Sequence, residues 1–157
     1  MGRKLELYSW ENSMDVKDVM VKEIITVNPT TKIRDAVELM NKNQIGCLVV
    51  TRKGKPVGIM TERDVLKKIV CKCKNPEQTT VSEIMSKPLI VGKVDMNWLE
   101  ATKLMLDKNI KKLPIMDGER LVGLVTLTDI ARMRVLEALE IDTLTFGILS
   151  RRKQSPG

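Results

Sequence analysis

The sequence contains no histidine among its 157 residues, and it has only three cysteines, Cys47, Cys71 and Cys73. Histidine is the most frequent general base and a frequent zinc ligand, and three thiols alone do not complete a four-ligand zinc site. No nucleophile or phosphate-loop motif is present either. We therefore expect no catalytic residue and no metal site, although a metal bridging two subunits stays an alternative.

Aromatic residues make up only 3% of the chain, and long apolar runs are missing. The core must therefore be built from Val, Ile, Leu and Met, and no stretch is long enough to span a bilayer. Residues 1–12 carry charges and lack the apolar segment of a signal peptide. An odd, sparse set of cysteines argues against a disulfide framework. These features predict a cytoplasmic protein with no membrane association.

Acidic residues are outnumbered, 20 against 27 basic ones, which gives a net charge of +7. An excess of positive charge favours anionic partners, but it does not choose among nucleotide, nucleic acid and membrane surface. A solvated basic surface without a partner explains the same excess.

The chain repeats itself when it is shifted by 65 residues. Val16, Met20, Gly58, Thr61 and Asp64 then fall on identical residues at 81, 85, 123, 126 and 129. Chance alignment of two amphipathic helices would not also align turn, glycine and Thr/Asp positions over some fifty residues. We predict a first copy at residues 14–70, a linker at 71–78, a second copy at 79–140 and a C-terminal tail at 141–157.

Each copy has the same predicted order of elements. A short helical turn, 16–20 or 81–85, precedes a short strand at 24–27 or 89–91. An amphipathic helix at 32–43 follows, with Thr30 as its candidate N-cap and Asp95 as the counterpart of Thr30. Two strands joined by a glycine-containing turn then lead into a helix that opens at Thr61 or Thr126. One copy is too small to cover both faces of its sheet, so we expect the copies to pack together.

The two copies resemble CBS domains (the cystathionine-β-synthase repeat). The resemblance rests on a closing signature, glycine, two apolar residues, Ser or Thr, two variable residues, then Asp or Asn. It reads GIMTERD at 58–64 and GLVTLTD at 123–129. The resemblance implies an α+β fold of two CBS domains, each β-α-β-β-α, packed through their sheets in a pseudo-two-fold pair.

The Thr-x-x-Asp of the signature opens a helix, where backbone N–H groups and the helix dipole favour an anion. The Asp carboxylate accepts hydrogen bonds only, so it suits the two hydroxyls of a ribose. The same pattern is close to a capping box, in which both side chains satisfy backbone donors. Both uses stay open, because one residue can serve in the free and in the bound state.

The resemblance implies that Asp64 and Asp129 contact the ribose and that Thr61 and Thr126 contact the phosphate of an adenine nucleotide. The residues that border the base are implied less surely, and the first copy fits the family pattern better than the second, where Val91 and Lys111 replace Thr26 and Gly46. Arg63, Lys111 and Lys112 are candidate phosphate contacts or plain surface charge. The full set of expected ligand-binding residues is Thr26, Ile45, Gly46, Cys47, Thr61, Arg63, Asp64, Val91, Ile110, Lys111, Lys112, Thr126, Thr128 and Asp129.

These observations predict a stand-alone regulatory module rather than an enzyme. Its expected ligand is an adenosine nucleotide, AMP, ADP, ATP or S-adenosylmethionine, which acts as a regulatory ligand and not as a required cofactor. The expected partners are a second copy of the chain, in a homodimer, and an unknown regulated protein. The alternatives are a basic nucleic-acid-binding module, supported by the charge and by the Arg151-Arg152-Lys153 tail, and a structural dimeriser with empty sites.

Overall fold

The computed structural model describes residues 14–138, with side chains to residue 135. The C-terminal tail and residues 1–13 lie outside the described residues. The first copy contains α1 (Val16–Val19), β1 (Thr26–Val27), α2 (Ile33–Asn43), β2 (Cys47–Arg52), β3 (Lys55–Thr61) and α3 (Glu62–Val65), which continues as a π-helical segment (Leu66–Val70). The second contains α4 (Val81–Ile84), β4 (Gly92–Lys93), α5 (Trp98–Asp107), β5 (Lys112–Asp117), β6 (Arg120–Thr126) and α6 (Leu127–Ala138).

Each copy forms a three-stranded sheet in which the middle strand pairs on both sides. In the first sheet β1 runs parallel to β2, and β2 runs antiparallel to β3. The second sheet repeats this order with β4, β5 and β6. The two sheets meet along β3 and β6, and an ion pair of 3.2 Å between Lys55 and Glu119 joins their hairpins. The predicted α+β pair, packed through its sheets, is confirmed.

The cores follow from the alternation of side chains along the strands. Leu48 and Val50 of β2 point towards α2, where they meet Ile33, Ala36 and Met40. In the second copy Leu113 and Ile115 of β5 take the same places. The buried residues of both cores are aliphatic side chains and methionine, as the low aromatic content predicts.

The short helices are exchanged between the copies. Val16 of α1 is fully buried in the core of the second sheet, and Val81 of α4 is fully buried in the core of the first. After α1, Val21 exchanges two backbone hydrogen bonds of 2.9 Å with Leu124 of β6. Ser86 makes the matching pair with Ile59 of β3, at 2.8 and 3.2 Å. Each sheet is therefore completed by a segment from the other copy.

Two sequence-based expectations about the elements were wrong. The second short strand lies at Gly92–Lys93 rather than at 89–91, because the absent side chain of Gly92 leaves room for Ile115. The N-cap residues of α2 and α5 are Lys32 and Asn97, not Thr30 and Asp95. At the start of α2 a side-chain cap is unnecessary, since Ile33 N–H donates to the carbonyl of Thr79, at 3.0 Å.

Candidate functional site

A cleft of about 590 Å³ lies between the two copies, where the strand-to-helix junction of one copy faces that of the other. Nine of the expected ligand-binding residues line it. These are Gly46, Thr61, Arg63, Asp64, Ile110, Lys111, Lys112, Thr126 and Thr128. The cleft also has lining residues that the sequence did not single out, namely Ile59, Glu62, Lys67, Lys68, Ser86 and Asn109. The structure thus brings the Thr of both closing signatures into one cavity.

The other five expected residues do not line this cleft. Thr26 lies on β1 beside Val49, and Ile45 and Cys47 are at or near the start of β2. Asp129 accepts a hydrogen bond from the Thr126 hydroxyl at 2.7 Å. Val91 is 39% exposed and faces a separate concavity of about 710 Å³ beside the β5–β6 hairpin. The roles expected for these five residues stay predictions.

Thr61 and Asp64 form a capping box at the start of α3. One carboxylate oxygen of Asp64 accepts hydrogen bonds from the backbone N–H and the hydroxyl of Thr61, at 3.0 and 2.9 Å. The Thr61 hydroxyl oxygen in turn accepts from Asp64 N–H at 3.3 Å. Thr126 and Asp129 repeat the arrangement at 2.7–3.1 Å. The capping interpretation of the signature therefore describes the ligand-free geometry, while both threonines still face the cleft.

Backbone donors at these helix starts are largely satisfied within the protein. Glu62 N–H donates to the carbonyl of Gly46 at 3.2 Å, and Leu127 N–H donates to that of Lys111 at 3.1 Å. Together with the capping hydroxyls, these bonds use two of the first three N–H groups of each helix. Two of the three N–H groups at each helix start are thus already paired in the ligand-free protein, so the expectation that these groups hold a phosphate stays a prediction.

The second carboxylate oxygen of Asp64 is held by residues that come from two different elements. It accepts hydrogen bonds from Lys68 Nζ at 2.8 Å and from the Ser86 hydroxyl at 3.2 Å. Lys68 Nζ also donates to the carbonyl of Ile84 at 2.6 Å. Lys68 lies four residues after Asp64, so a helix over this segment predicts that the two side chains are neighbours. Ser86 arrives through the exchanged helix, so no local sequence signal could have indicated it.

The contacts of the Asp64 carboxylate lower its pKa. Burial alone would raise the pKa of Asp64, but hydrogen bonds from Lys68 and Thr61 outweigh it and hold that pKa below its usual range. A depressed pKa means that the folded state is favoured above the unfolded-state pKa and loses this advantage as the pH falls through the folded-state pKa.

We expect Asp64→Asn to lower stability by about 1–2 kcal/mol near neutral pH, because a charge-assisted hydrogen bond is lost. The difference from the unsubstituted protein should shrink below about pH 4, where Asp64 of the unfolded chain is protonated. Urea unfolding of both proteins between pH 3 and 7 measures this difference in the free energy of unfolding. Lys68→Met is the matched control, since it removes the main stabilising donor and should flatten the same pH dependence. A difference that stays constant down to pH 3 would contradict this account.

Cys47 lies at the start of β2 and is 6% exposed. Burial raises the pKa of its thiol, so the reactive thiolate is scarce. Cys71 and Cys73 are exposed free thiols in the loop after the π-helical segment. We expect iodoacetamide to label these two residues and to reach Cys47 only after unfolding, as peptide mass mapping would show. Equally rapid labelling of all three thiols in the folded protein would be inconsistent with a buried Cys47.

No helix within residues 14–138 has the length and apolar character that crossing a membrane requires.

Comparison with known proteins agrees with the fold. The family model "CBS domain" matches twice, at residues 16–71 and 81–136. A CBS domain-containing protein of Bacillus subtilis, YhcV, is 37% identical over 116 residues, which cover 74% of this chain and 82% of that protein. The uncharacterized protein MK0525 of Methanopyrus kandleri is 41% identical over 123 residues. That match covers 77% of this chain but 63% of the relative, so the chain spans somewhat less than two thirds of it.

A solved structure with the same fold carries ligands. The CBS domain pair of protein MJ0100, in complex with methylthioadenosine and S-adenosyl-L-methionine, is 30% identical and superposes with a TM-score of 0.72. The match covers 79% of this chain and 98% of that one. Both the matched family model, which covers most of the sequence, and the shared fold lead to one assignment. The chain belongs to the CBS domain family and consists of a tandem pair of CBS domains.

Proposed function

We propose that this CBS pair is a non-catalytic cytoplasmic regulatory module that binds an adenosine-containing nucleotide in the cleft between its copies. The observation that carries the proposal is the convergence of Thr61 and Thr126 in one cavity, although 65 residues separate them in sequence. A volume of about 590 Å³ suits a ligand of nucleotide size. The adenosine ligands named for the MJ0100 pair support the same ligand class.

Ligand binding in this cleft would change the contacts between the two copies. The cleft walls belong to both copies, and Ser86 of the exchanged segment contacts Asp64. A ligand that contacts Asp64 or Lys68 competes with this contact between the copies, so its occupancy shifts their relative packing. A partner protein that recognises one packing arrangement would then read the ligand concentration.

Self-association is the second part of the proposal. Val70 and Val135, which occupy matching places in the two copies, are 60% and 57% exposed, and Leu66 is 58% exposed. Apolar side chains exposed at matching places in the helices that end both copies favour a homodimer. Sedimentation velocity of the full chain should give a dimer, and Val70→Glu with Val135→Glu should give a monomer. A monomer before substitution would remove this part of the proposal alone.

Isothermal titration calorimetry with AMP, ADP, ATP and S-adenosylmethionine tests ligand binding. We expect at least one of them to bind, and the Asp64→Ala, Asp129→Ala double variant to weaken that binding at least tenfold. Glu83→Ala is the matched control, since Glu83 forms the same capping box with Thr80 in α4 but lies outside the cleft. No binding of any of the four ligands, or unchanged binding in the double variant, would refute the proposed site.

A nucleic-acid role would use the same positive charge differently. The basic side chains of the cleft converge inside a concave cavity of nucleotide size, which favours a small ligand over a duplex. The basic tail at 151–153 lies outside the described residues. A gel shift that weakens steeply with salt would favour the nucleic-acid alternative.

A further inference from the structure

The cleft is strongly and unevenly charged. Five basic side chains line it, against two acidic ones, Glu62 and Asp64. The basic residues are Arg63, Lys67, Lys68, Lys111 and Lys112. The cavity therefore has an excess of three positive charges before any ligand enters, and Asp64 already pairs with Lys68 at 2.8 Å. Such a cavity needs an anion of more than one charge to be neutralised.

The basic residues do not follow the 65-residue repeat. Arg63 and Lys68 of the first copy correspond to Thr128 and Met133 of the second. Conversely, Lys111 and Lys112 of the second copy correspond to Gly46 and Cys47 of the first. The cleft lining does not include Arg132, the counterpart of Lys67. Two copies with equivalent sites would each have supplied the same cations, so the charge belongs to one subsite rather than to two.

The position of Lys112 shows where this subsite lies. A side-chain Cβ on Gly46 would be 3.2 Å from Lys112 Nζ and 3.0 Å from Glu62 Oε2. Lys112 thus reaches across from β5 of the second copy to the strand-to-helix junction of the first. There it joins the cations of α3 and of the segment that follows. The absent side chain of Gly46 leaves the space that Lys112 occupies.

We propose that these five residues form one polyphosphate subsite per chain, so that the ligand is a nucleoside di- or triphosphate rather than S-adenosylmethionine or a monophosphate. The inference rests on the proposed function for the nucleoside part of the ligand, but the subsite itself recognises only the phosphate chain. Each added phosphate brings charge within reach of further basic side chains, whereas the sulfonium and ammonium groups of S-adenosylmethionine would be repelled.

Calorimetry at 0.1 M salt tests the subsite with ATP, ADP, AMP, S-adenosylmethionine and inorganic tripolyphosphate. We expect ATP to bind at least tenfold more tightly than AMP and S-adenosylmethionine, with one ATP per chain. Lys67→Gln with Lys111→Gln should weaken ATP and tripolyphosphate at least tenfold and AMP less than threefold. Lys42→Gln with Lys108→Gln, which removes equal charge from exposed positions outside the cleft, should leave all affinities within twofold.

The outcomes separate the two proposals. Tripolyphosphate binding that depends on Lys67 and Lys111, without binding of any nucleotide, would support the subsite and refute the nucleotide function. Equal affinities for AMP and ATP, or tighter binding of S-adenosylmethionine, would refute the subsite and leave the nucleotide function standing. Failure of tripolyphosphate to bind at millimolar concentration would also refute the subsite.

Discussion

Replacing Val16 by alanine is expected to weaken the second copy, although Val16 belongs to the first copy in sequence. Val16 is fully buried among the side chains of the second core. Two buried methyl groups at ~0.8 kcal/mol each, with a term for the cavity, give a loss of about 2 kcal/mol. Hydrogen exchange followed by mass spectrometry should show faster exchange in α5, β5 and β6, and little change in α2 and β2.

Val81→Ala is the matched variant, because Val81 is the counterpart of Val16 and is equally buried, but in the first core. Its faster exchange should appear in α2, β2 and β3 instead. Faster hydrogen exchange in the copy opposite to the substitution would distinguish exchanged helices from two copies that each keep their own short helix. If each variant loosened the copy to which it belongs in sequence, the exchange of helices would be wrong.

Gly123→Ala is expected to destabilise the protein by about 1–3 kcal/mol through overpacking. A Cβ at Gly123 would overlap the Sδ of Met20 and lie 2.7 Å from its Cγ, because Met20, which follows α1, crosses β6 at this point. The glycine of the closing signature is therefore needed where the exchanged segment passes. Urea unfolding of Gly123→Ala, Met20→Ala and the double variant measures the coupling between the two positions.

Met20→Ala should relieve much of the cost of Gly123→Ala, because it removes the Sδ and Cγ atoms that the added Cβ would meet most closely. The Cβ of residue 20, 3.0 Å from the added Cβ, remains. At Gly58 the relief by Met85→Ala should be smaller. There the contacts that Met85→Ala removes are less severe, 2.7 Å to Sδ and 3.2 Å to Cγ, while the backbone oxygen of Ser86 stays 3.1 Å from the added Cβ. Strictly additive effects at Gly123 and Met20 would show that the two residues do not meet.

The helices and hairpins of each copy could be predicted from the sequence, because the patterns that indicate them are local. The helix period at 32–43 identified α2, and the glycine-containing turns identified the hairpins. The Thr-x-x-Asp spacing located the starts of α3 and α6, since a capping box is formed within four residues. Two occurrences of this signature at one spacing were sufficient to indicate the family.

The exchange of the short helices could not be predicted from the sequence, because α1 has the same apolar residues whichever of the two sheets it packs against. The contacts that decide the matter, such as Val16 N–H to the carbonyl of Met96 at 2.9 Å, join residues 80 positions apart. Ser86 reached the candidate site through this exchange, so the sequence could not indicate its contact with Asp64. Lys112 was expected as a candidate phosphate contact, but its approach to Gly46 depends on how the two copies are packed.

Hydrogen exchange with and without saturating ATP tests most directly whether the cleft between the copies is the ligand site. We predict slower exchange at 45–47, 61–68 and 110–112, which carry most of the cleft lining, and at the Thr126 junction. Protection confined to the concavity formed by 91–95 and 116–119, or no change anywhere at a concentration that saturates binding, would contradict the account.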